Sequence, residues 1–360
     1  MESLGMDLKF FSNKRILITG ATGFKGSWLA IILKELGAEV FDYSLVPSQE
    51  KDNFNTCGLK DKINSKFANI RNYDEFHNYI SSVKPELVFH LAAQSLVSKS
   101  YEDSLLTYDT NLMGTMNLID IIRKTPSVKQ AVLVTTDKCY ENNETGQNYK
   151  EGDALGGRDP YSASKACAEI AIQSSISSFF QEPGTCNIAS VRAGNVIGAG
   201  DWAENRIVPD IFRSVINKTS LELRAPNSVR PWQFVLEPLF GYLALAINLA
   251  KGGKEFQGAW NFGPEPEKNY SVEDLVKEVQ KLETRVQYKL DGSSIGHEAK
   301  KLKLDITKAK QELDWKPILD FNETIKYTVE GYIDELSNTE DLYQARVKQI
   351  NQYIEKLSNE

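Results

Sequence analysis

The 360-residue sequence predicts an α/β protein, a doubly wound parallel sheet with a smaller lobe of mixed structure toward the C-terminus. Three observations predict it. Apolar runs of strand length alternate with helical patterns through the first half, as in sheets covered by helices on both faces. The first run closes on a glycine triplet that opens a helix, "ILITGATGFKG". Beyond about Val208 the alternation loosens into short helices and strands.

The elements follow in order. "KRILITG" reads as the first strand, "GSWLAIILKELG" as the helix after it and "AEVFDYSL" as the second strand. "ELVFHLAAQ", the helical "YDTNLMGTMNLIDIIRK" and the strand "QAVLVTTD" continue the pattern. A further helix starts at Tyr161 and runs through "SASKACAEIAIQSSISSFF". The strand "NIASVRAGNVIG" then leads into the glycine-rich "GAGDWAENRIVPD". The segments "IVPDIFRSVIN", "LELRAPNSVRPWQFV", "EPLFGYLALAINLAK" and "AWNFGP" are assigned to the smaller lobe. "SVEDLVKEVQKL" opens on Ser271 with Asp274 three residues on, close to a capping box. The polar stretch from about Leu336 to Glu360 reads as an amphipathic helix on the surface or against a partner subunit. The expected division is 1–207 for the sheet domain, 208–335 for the lobe, with segments interleaving, and 336–360 for the helical tail.

Composition narrows the functional classes. A 41% hydrophobic, 25% charged chain is ordinary for a soluble globular protein. The net charge of −7, with no broad basic stripe, argues against a nucleic-acid partner. The four cysteines lack metal-ligand spacing and the chain has three histidines, so no metal site is expected. No apolar run approaches the roughly 18–20 residues of a membrane span. "MESLGMDLKFFSNKR" lacks the apolar region of a secretory leader, and the chain reads as cytoplasmic.

Gly20, Gly23 and Gly26 stand between a strand and a helix, in G-x-x-G-x-x-G spacing. Glycines there permit a tight turn and close backbone approach, and the helix N-terminus favours a pyrophosphate. Thr22 and Phe24 belong to the same turn. Asp42, 22 residues past Gly20, suits the adenosine ribose and would repel a 2′-phosphate, favouring NAD over NADP. The small residues of "HLAAQ" leave room for a cofactor at a strand end, bringing in Leu91, Ala92 and Ala93. His90 reads as a packed strand residue.

Tyr161 and Lys165 lie four apart and share one helix face. An ammonium beside a phenol favours the phenolate, so the pair reads as a tuned proton acceptor that also meets the nicotinamide half of the cofactor. Thr136 lies at the end of the preceding strand, followed by Asp137 and Lys138.

The glycine triplet, strand-end threonine and Tyr-x-x-x-Lys, in this order, resemble the extended short-chain dehydrogenase/reductase superfamily over about Lys14 to Pro317. Its nucleotide domain is of the Rossmann type. Longer strings are similar to those of the CDP-glucose 4,6-dehydratases: "TGFKGSWL", "TDKCYEN", "DPYSASK", "SVRAGNVIGAGDW", "RPWQFVLEPL" and "WNFGP". Three positions depart from that pattern. Phe234 stands where the family usually carries histidine, in a segment expected near the nucleotide-sugar. Ala21 follows Gly20 where histidine is usual. Asn69 takes the place of the aspartate that commonly meets adenine, with Ile70 beside it, and asparagine still bonds adenine.

The resemblance implies NAD as cofactor and a nucleotide-sugar as substrate, in deoxysugar biosynthesis. It implies that Thr136 bonds the sugar hydroxyl being oxidised, that Tyr161 takes its proton, and that Lys165 tunes Tyr161. Asp137 becomes the acid at the C6 hydroxyl. Lys138 stands where many sugar dehydratases place the glutamate that removes the C5 proton, either as a base with a lowered pKa or as a cation stabilising the enolate. Asn195, Arg206 and Arg230 are expected at the diphosphate and sugar, because guanidinium forks suit diphosphates. His297, in "GHEAKKLKLD", is a further candidate ligand. Pairing of the two long helices implies a homodimer or a dimer of dimers. Within enzymes the alternatives are another nucleotide-sugar dehydratase or a 4-epimerase. Outside them stands a dinucleotide-binding regulator without catalysis.

Overall fold

The computed structural model describes residues 6–142, 146–223, 225–265, 269–290, 302–337, 339 and 341–359. The central sheet has seven parallel strands: β1 (Arg15–Thr19), β2 (Glu39–Ser44), β3 (Asn64–Phe67), β4 (Leu87–His90), β5 (Gln130–Val134), β6 (Asn187–Ala193) and β7 (Gly258–Phe262). Their order is β7-β6-β5-β4-β1-β2-β3. Strand order reverses between β1 and β4, which opens a crevice at their carboxyl ends. Register there places Ile18 beside Asp42 on one side and Phe89 on the other.

Each inner strand is apolar on both faces because helices cover both. Ile16, Ile18, Phe89 and Val132 face one core, with α1 (Phe24–Glu35). Leu17, Val88, Ala131 and Leu133 face the other, with α2 (Tyr73–Val83), α3 (Gly114–Lys124) and α4 (Pro160–Phe179). A π turn at Asp109–Met113 leads into α3. The buried Asn111 in that turn bonds Ser164 of α4 at 3.0 Å and the Gln94 carbonyl at 3.0 Å. A third core gathers Trp202, Phe212, Trp232, Leu275 and Tyr332 beneath α5 (Ile207–Asn217) and α7 (Val272–Leu282). The capping box at Ser271 and Asp274 is formed.

Two expectations change. "AWNF", grouped with the smaller lobe from the sequence, is strand β7 at the sheet edge, paired with β6. It is preceded by α6 (Leu236–Lys251), whose Leu239, Phe240 and Leu243 join the α1-side core. The polar tail is not a surface appendage. After α8 (Phe321–Leu336) it forms α9 (Leu342–Ser358), which lies against α1 and buries Tyr343, Val347, Ile350 and Tyr353 in the same core. Each such side chain contributes roughly 1.5–3 kcal/mol. The fully buried Arg346 pairs with Glu335 and bonds Asn53 Oδ1 at 3.1 Å, satisfying its charge.

Candidate active site

Backbone geometry accounts for the glycines of the turn after β1. Gly20 has φ +82°, and a Cβ there would stand 2.7 Å from the Ala92 amide nitrogen; at Gly26 it would stand 2.0 Å from the Gly20 carbonyl oxygen. Gly23 caps α1 without a side-chain acceptor, so the first-turn N–H groups stay available to an anion. Thr22 donates its hydroxyl to the Leu45 carbonyl at 3.0 Å. The Phe24 ring packs over Gly198. Beneath the turn, buried Asp42 accepts the Ala21 N–H at 3.2 Å and the Ser44 hydroxyl through Oδ1, while Oδ2 has no partner among the described residues. Burial pushes its carboxyl up to about 7. An orphaned carboxylate oxygen, a turn with no room for side chains and an open helix end fit a dinucleotide.

The remaining cofactor candidates line the same crevice. The Leu91 N–H bonds the Thr19 carbonyl at 2.9 Å and the Ala92 N–H bonds Thr19 Oγ1 at 3.3 Å, setting Leu91, Ala92 and Ala93 directly after β4. Asn69 Oδ1 accepts the Arg71 N–H at 3.0 Å, and Ile70 packs into space that Gly114 leaves open. His90 lies between Thr19 Oγ1 at 2.7 Å and Thr115 Oγ1 at 3.1 Å. Burial pushes its pKa down to about 3, so it is the neutral packed residue read from the sequence.

Across the crevice, Asp159 caps α4 by accepting the Ser162 N–H at 2.9 Å, and Pro160 follows in the first turn. This presents Tyr161 and Lys165 toward the end of β5. Thr136, Asp137, Tyr161 and Lys165 are all buried. The Thr136 hydroxyl lies against the Tyr161 phenol, donates to Asp137 Oδ1 at 3.1 Å and accepts the Lys138 N–H at 3.3 Å. Thr135 is held by Glu169, which also binds Ser190 at 2.8 Å and Arg192 at 2.7 Å. Arg192 reaches the Tyr140 hydroxyl at 2.7 Å, so a buried ion pair clamps both ends of the turn from Thr135 to Tyr140.

Electrostatics corrects one expectation. Burial pushes Tyr161 up to about 12, against the pull of Thr136 and Arg206. The Lys165 ammonium instead donates to the Val134 carbonyl at 3.1 Å, and burial lowers its pKa to about 8. The ammonium expected to pull the phenol down is thus engaged elsewhere, and desolvation decides. For Asp137 the same cause works toward its assigned role: burial raises its carboxyl against the pull of Lys138, Thr136 and Lys25. Lys138 itself is exposed, so the burial that would turn a lysine into a base is not found there.

The substrate candidates fare unevenly. Asn195 follows β6 in a left-handed conformation, φ +50°, where asparagine is tolerated better than most residues. Arg206 pairs with Asp201 at 2.7 Å and lies within electrostatic reach of Tyr161 and Lys25. Arg230 bonds the Val229 carbonyl at 2.9 Å, one residue before Pro231 in the wall of a cleft. That cleft also contains Asp137, Gly194, Gln233 and Lys303. Phe234 does not face it. The ring is fully buried, edge-on to Trp28 at 6.0 Å and near Tyr327 at 5.3 Å, so this departure is absorbed by the core. His297 lies outside the described residues.

Three further residues at the site were not singled out from the sequence. Lys25, inside the glycine turn, lies near Lys165, Arg206 and Asp137, and burial lowers its pKa to about 8. Its signal was a cation in the first turn of a helix, where the dipole disfavours one. Tyr242 of α6 lies near Asp137 and Tyr161 inside a stretch that reads as plain core. Gln233 donates to the Gly194 and Phe262 carbonyls at 3.0 and 3.1 Å, tying the turn after β6 to the end of β7.

A dinucleotide cradle facing a buried Thr-Tyr-Lys set, on a parallel sheet, defines a dehydrogenase-type enzyme of the extended short-chain class. The chain belongs to the GDP-mannose 4,6 dehydratase family, whose sequence pattern matches residues 17–328. It is 42% identical over 354 residues to a CDP-glucose 4,6-dehydratase of Salmonella typhimurium, covering 97% of this chain and 98% of that one. A dTDP-glucose 4,6-dehydratase of the same organism is 26% identical over 353 residues, covering 91% and 94%. Among solved structures, a Thermotoga maritima UDP-glucose 4-epimerase with UDP-glucose shares the fold at TM-score 0.75 and 24% identity, covering 90% of this chain and 99% of that one. A Thermus thermophilus UDP-glucose 4-epimerase in complex with NAD does so at TM-score 0.76 and 22% identity, covering 88% and 98%. No helix among the described residues is long and apolar enough to cross a membrane.

Proposed function

We propose that the protein is an NAD-dependent dehydratase that converts CDP-D-glucose to CDP-4-dehydro-6-deoxy-D-glucose and water. The observation that carries this reading is Asp137, a buried carboxyl with raised proton affinity set beside Thr136 and Tyr161. A 4-epimerase needs no acid at C6, and a silent regulator has no use for a buried Thr-Asp-Tyr-Lys set. The similarity to the Salmonella CDP-glucose enzyme favours the cytidine nucleotide.

NAD, when bound, supplies a hydride acceptor for C4 whose hydride returns to C6. Gly20, Thr22, Gly23, Phe24 and Gly26 would hold its pyrophosphate, and Asp42, Asn69 and Ile70 its adenosine. Leu91, Ala92, Ala93, Tyr161 and Lys165 would hold its nicotinamide half. Tyr161 takes the O4 proton, with Thr136 and Arg206 favouring the phenolate against burial. Oxidation makes the C5 proton acidic, and Asp137 protonates the C6 hydroxyl as it leaves. Lys138, which is exposed, takes the C5 proton or, as a cation, stabilises the enolate. Asn195, Arg206 and Arg230 hold the nucleotide-sugar.

Exposed Leu105 and Met113 on the helix entering α3, with Ile170 and Phe179 on α4, support a homodimer through these helices. The four free cysteines suit a reducing compartment, and we place the enzyme in the cytoplasm.

The test is incubation with CDP-, dTDP-, UDP- and GDP-glucose, weighing products for the loss of one water. CDP-glucose deuterated at C4 is expected to carry its label to the C6 methyl. Label in free NADH would mean an ordinary dehydrogenase and would overturn the reading.

A further inference from the structure

Lys25 occupies an unfavourable place for a cation. It stands in the first turn of α1, at the positive end of the helix dipole. Its ammonium makes no hydrogen bond among the described residues and lies 6.0 Å from the centroid of the Tyr242 ring. Tyr242 is fully buried, and its hydroxyl has no hydrogen-bond partner among the described residues. Asp137 Oδ2 is likewise buried and unpartnered, and the carboxylate presses so closely on Gly194 that a Cβ there would stand 1.8 Å from Oδ2. The ammonium and the phenol thus each lie within electrostatic reach of the carboxylate, and none of the three groups is hydrogen-bonded at these atoms among the described residues.

A buried carboxylate left in this way needs a counter-charge. The other lysine beside Asp137 is Lys138, whose pull on the resting carboxyl exceeds that of Lys25 but whose exposure lets water and salt screen any charge it carries. Lys25 is only partly exposed and acts on Asp137 through the protein, where a charge is felt more strongly.

We propose that Lys25, backed by the face of Tyr242, is a positioning residue that serves as the counter-charge of Asp137 during elimination. The inference rests on the dehydratase reading above. In that step the C5–H electron pair forms the C5=C6 bond and the C5 proton goes to the Lys138 amine. The C6–O bond breaks with its pair onto oxygen, which takes the Asp137 proton and leaves as water. Asp137 is then a buried anion, and the Lys25 ammonium stabilises the charge that appears. The groups facing Asp137 are Lys138 and Cys139 on its own turn, Tyr161 on α4, Tyr242 on α6 and Lys25 on α1. Glu265 and Lys303 line the cleft that opens on it.

The test is an infrared titration of the Asp137 carboxyl, identified as the band lost in Asp137→Asn, at pH values below 8 where Lys25 is charged. In Lys25→Met the midpoint is expected to rise by about 1 pH unit or more. Lys25→Arg is expected to restore the wild-type midpoint, which a merely structural role would not require. Lys25→Gln replaces the methionine variant if circular dichroism finds that variant unfolded. An unchanged midpoint in the neutral variant overturns the proposal. With CDP-glucose, the neutral variant is expected to slow elimination tenfold or more and accumulate reduced cofactor; unaltered turnover also overturns it. If the wild type leaves CDP-glucose untouched, the dehydratase reading fails, and the infrared midpoint still decides whether Lys25 sets the acid.

Discussion

Replacing Asp137 by asparagine separates the two halves of the proposed reaction. The Asn side-chain oxygen can still accept the Thr136 hydroxyl bond, now 3.1 Å to Asp137 Oδ1, so the turn keeps its shape. Gly194 remains against a side chain of the same outline. Thr136, Tyr161 and Lys165 are untouched, and oxidation at C4 proceeds. What disappears is the transferable proton at C6. A positioned general acid contributes roughly 10²–10⁴ in rate, or about 2.7–5.5 kcal/mol at 1.36 kcal/mol per factor of ten. Elimination then becomes rate-limiting, and enzyme-bound cofactor stays reduced through the steady state. Stopped-flow absorbance of the reduced nicotinamide after mixing with CDP-glucose reads this directly. Tyr161→Phe serves as the contrast, expected to yield neither reduced cofactor nor product. Wild-type turnover by Asp137→Asn, or slow turnover with the cofactor oxidised throughout, would refute the assignment.

Three more expectations follow from the same geometry. Arg192→Met leaves Glu169 buried and without its cation; it should cost about 3–5 kcal/mol in urea unfolding, and a loss below about 1 kcal/mol would contradict the clamp. Lys25 and Lys165, each lowered to about 8, gain proton affinity when a dianion binds beside them. Binding of reduced cofactor at pH 8 should therefore take up about 0.5 proton per lysine, seen as a positive slope of calorimetric enthalpy against buffer ionisation enthalpy; a zero or negative slope would count against both placements. Glutamate at Ile170, 58% exposed on α4, should turn a dimer into a monomer in light scattering, and a monomeric wild type at micromolar concentration would remove the interface altogether.

How much the sequence reveals depends on whether a feature is local. The inner strands are legible because burial on both faces leaves uninterrupted apolar runs, as in "ILIT" and "AVLV". β7 is not, since Asn261 interrupts the apolar run of "GAWNF" and its neighbour β6 is fixed only by the folded topology. In α9, buried Arg346 and Gln349 dilute the apolar stripe of Tyr343, Val347 and Ile350, so a core helix reads as a surface one. Thr136, Tyr161 and Lys165 are legible from spacing along one strand end and one helix face. Lys25 and Tyr242 are not, because one resembles a surface lysine and the other a core aromatic.

The sign of the electrostatics is the least local property of the site. Burial raises the pKa of both Asp137 and Tyr161, and the consequences are opposite. A carboxyl made reluctant to ionise is a ready acid at neutral pH, whereas a phenol made reluctant to ionise is a poor base. In the proposed reaction one dry site performs both tasks and must therefore deliver positive charge unequally. Arg206 approaches the phenol across the crevice, while Lys25 and Lys138 bear on the carboxyl. Tyr161 needs its cations before hydride leaves C4, to release the O4 proton. Asp137 needs its cations only afterwards, once its proton has gone to the departing hydroxyl. Too much positive charge at Asp137 at the outset would ionise the acid early and leave the C6 hydroxyl with no proton to take. Lys25, set behind the Tyr242 ring, meets that constraint better than a direct Asp–Lys ion pair, because it stabilises the carboxylate product without fully ionising the acid.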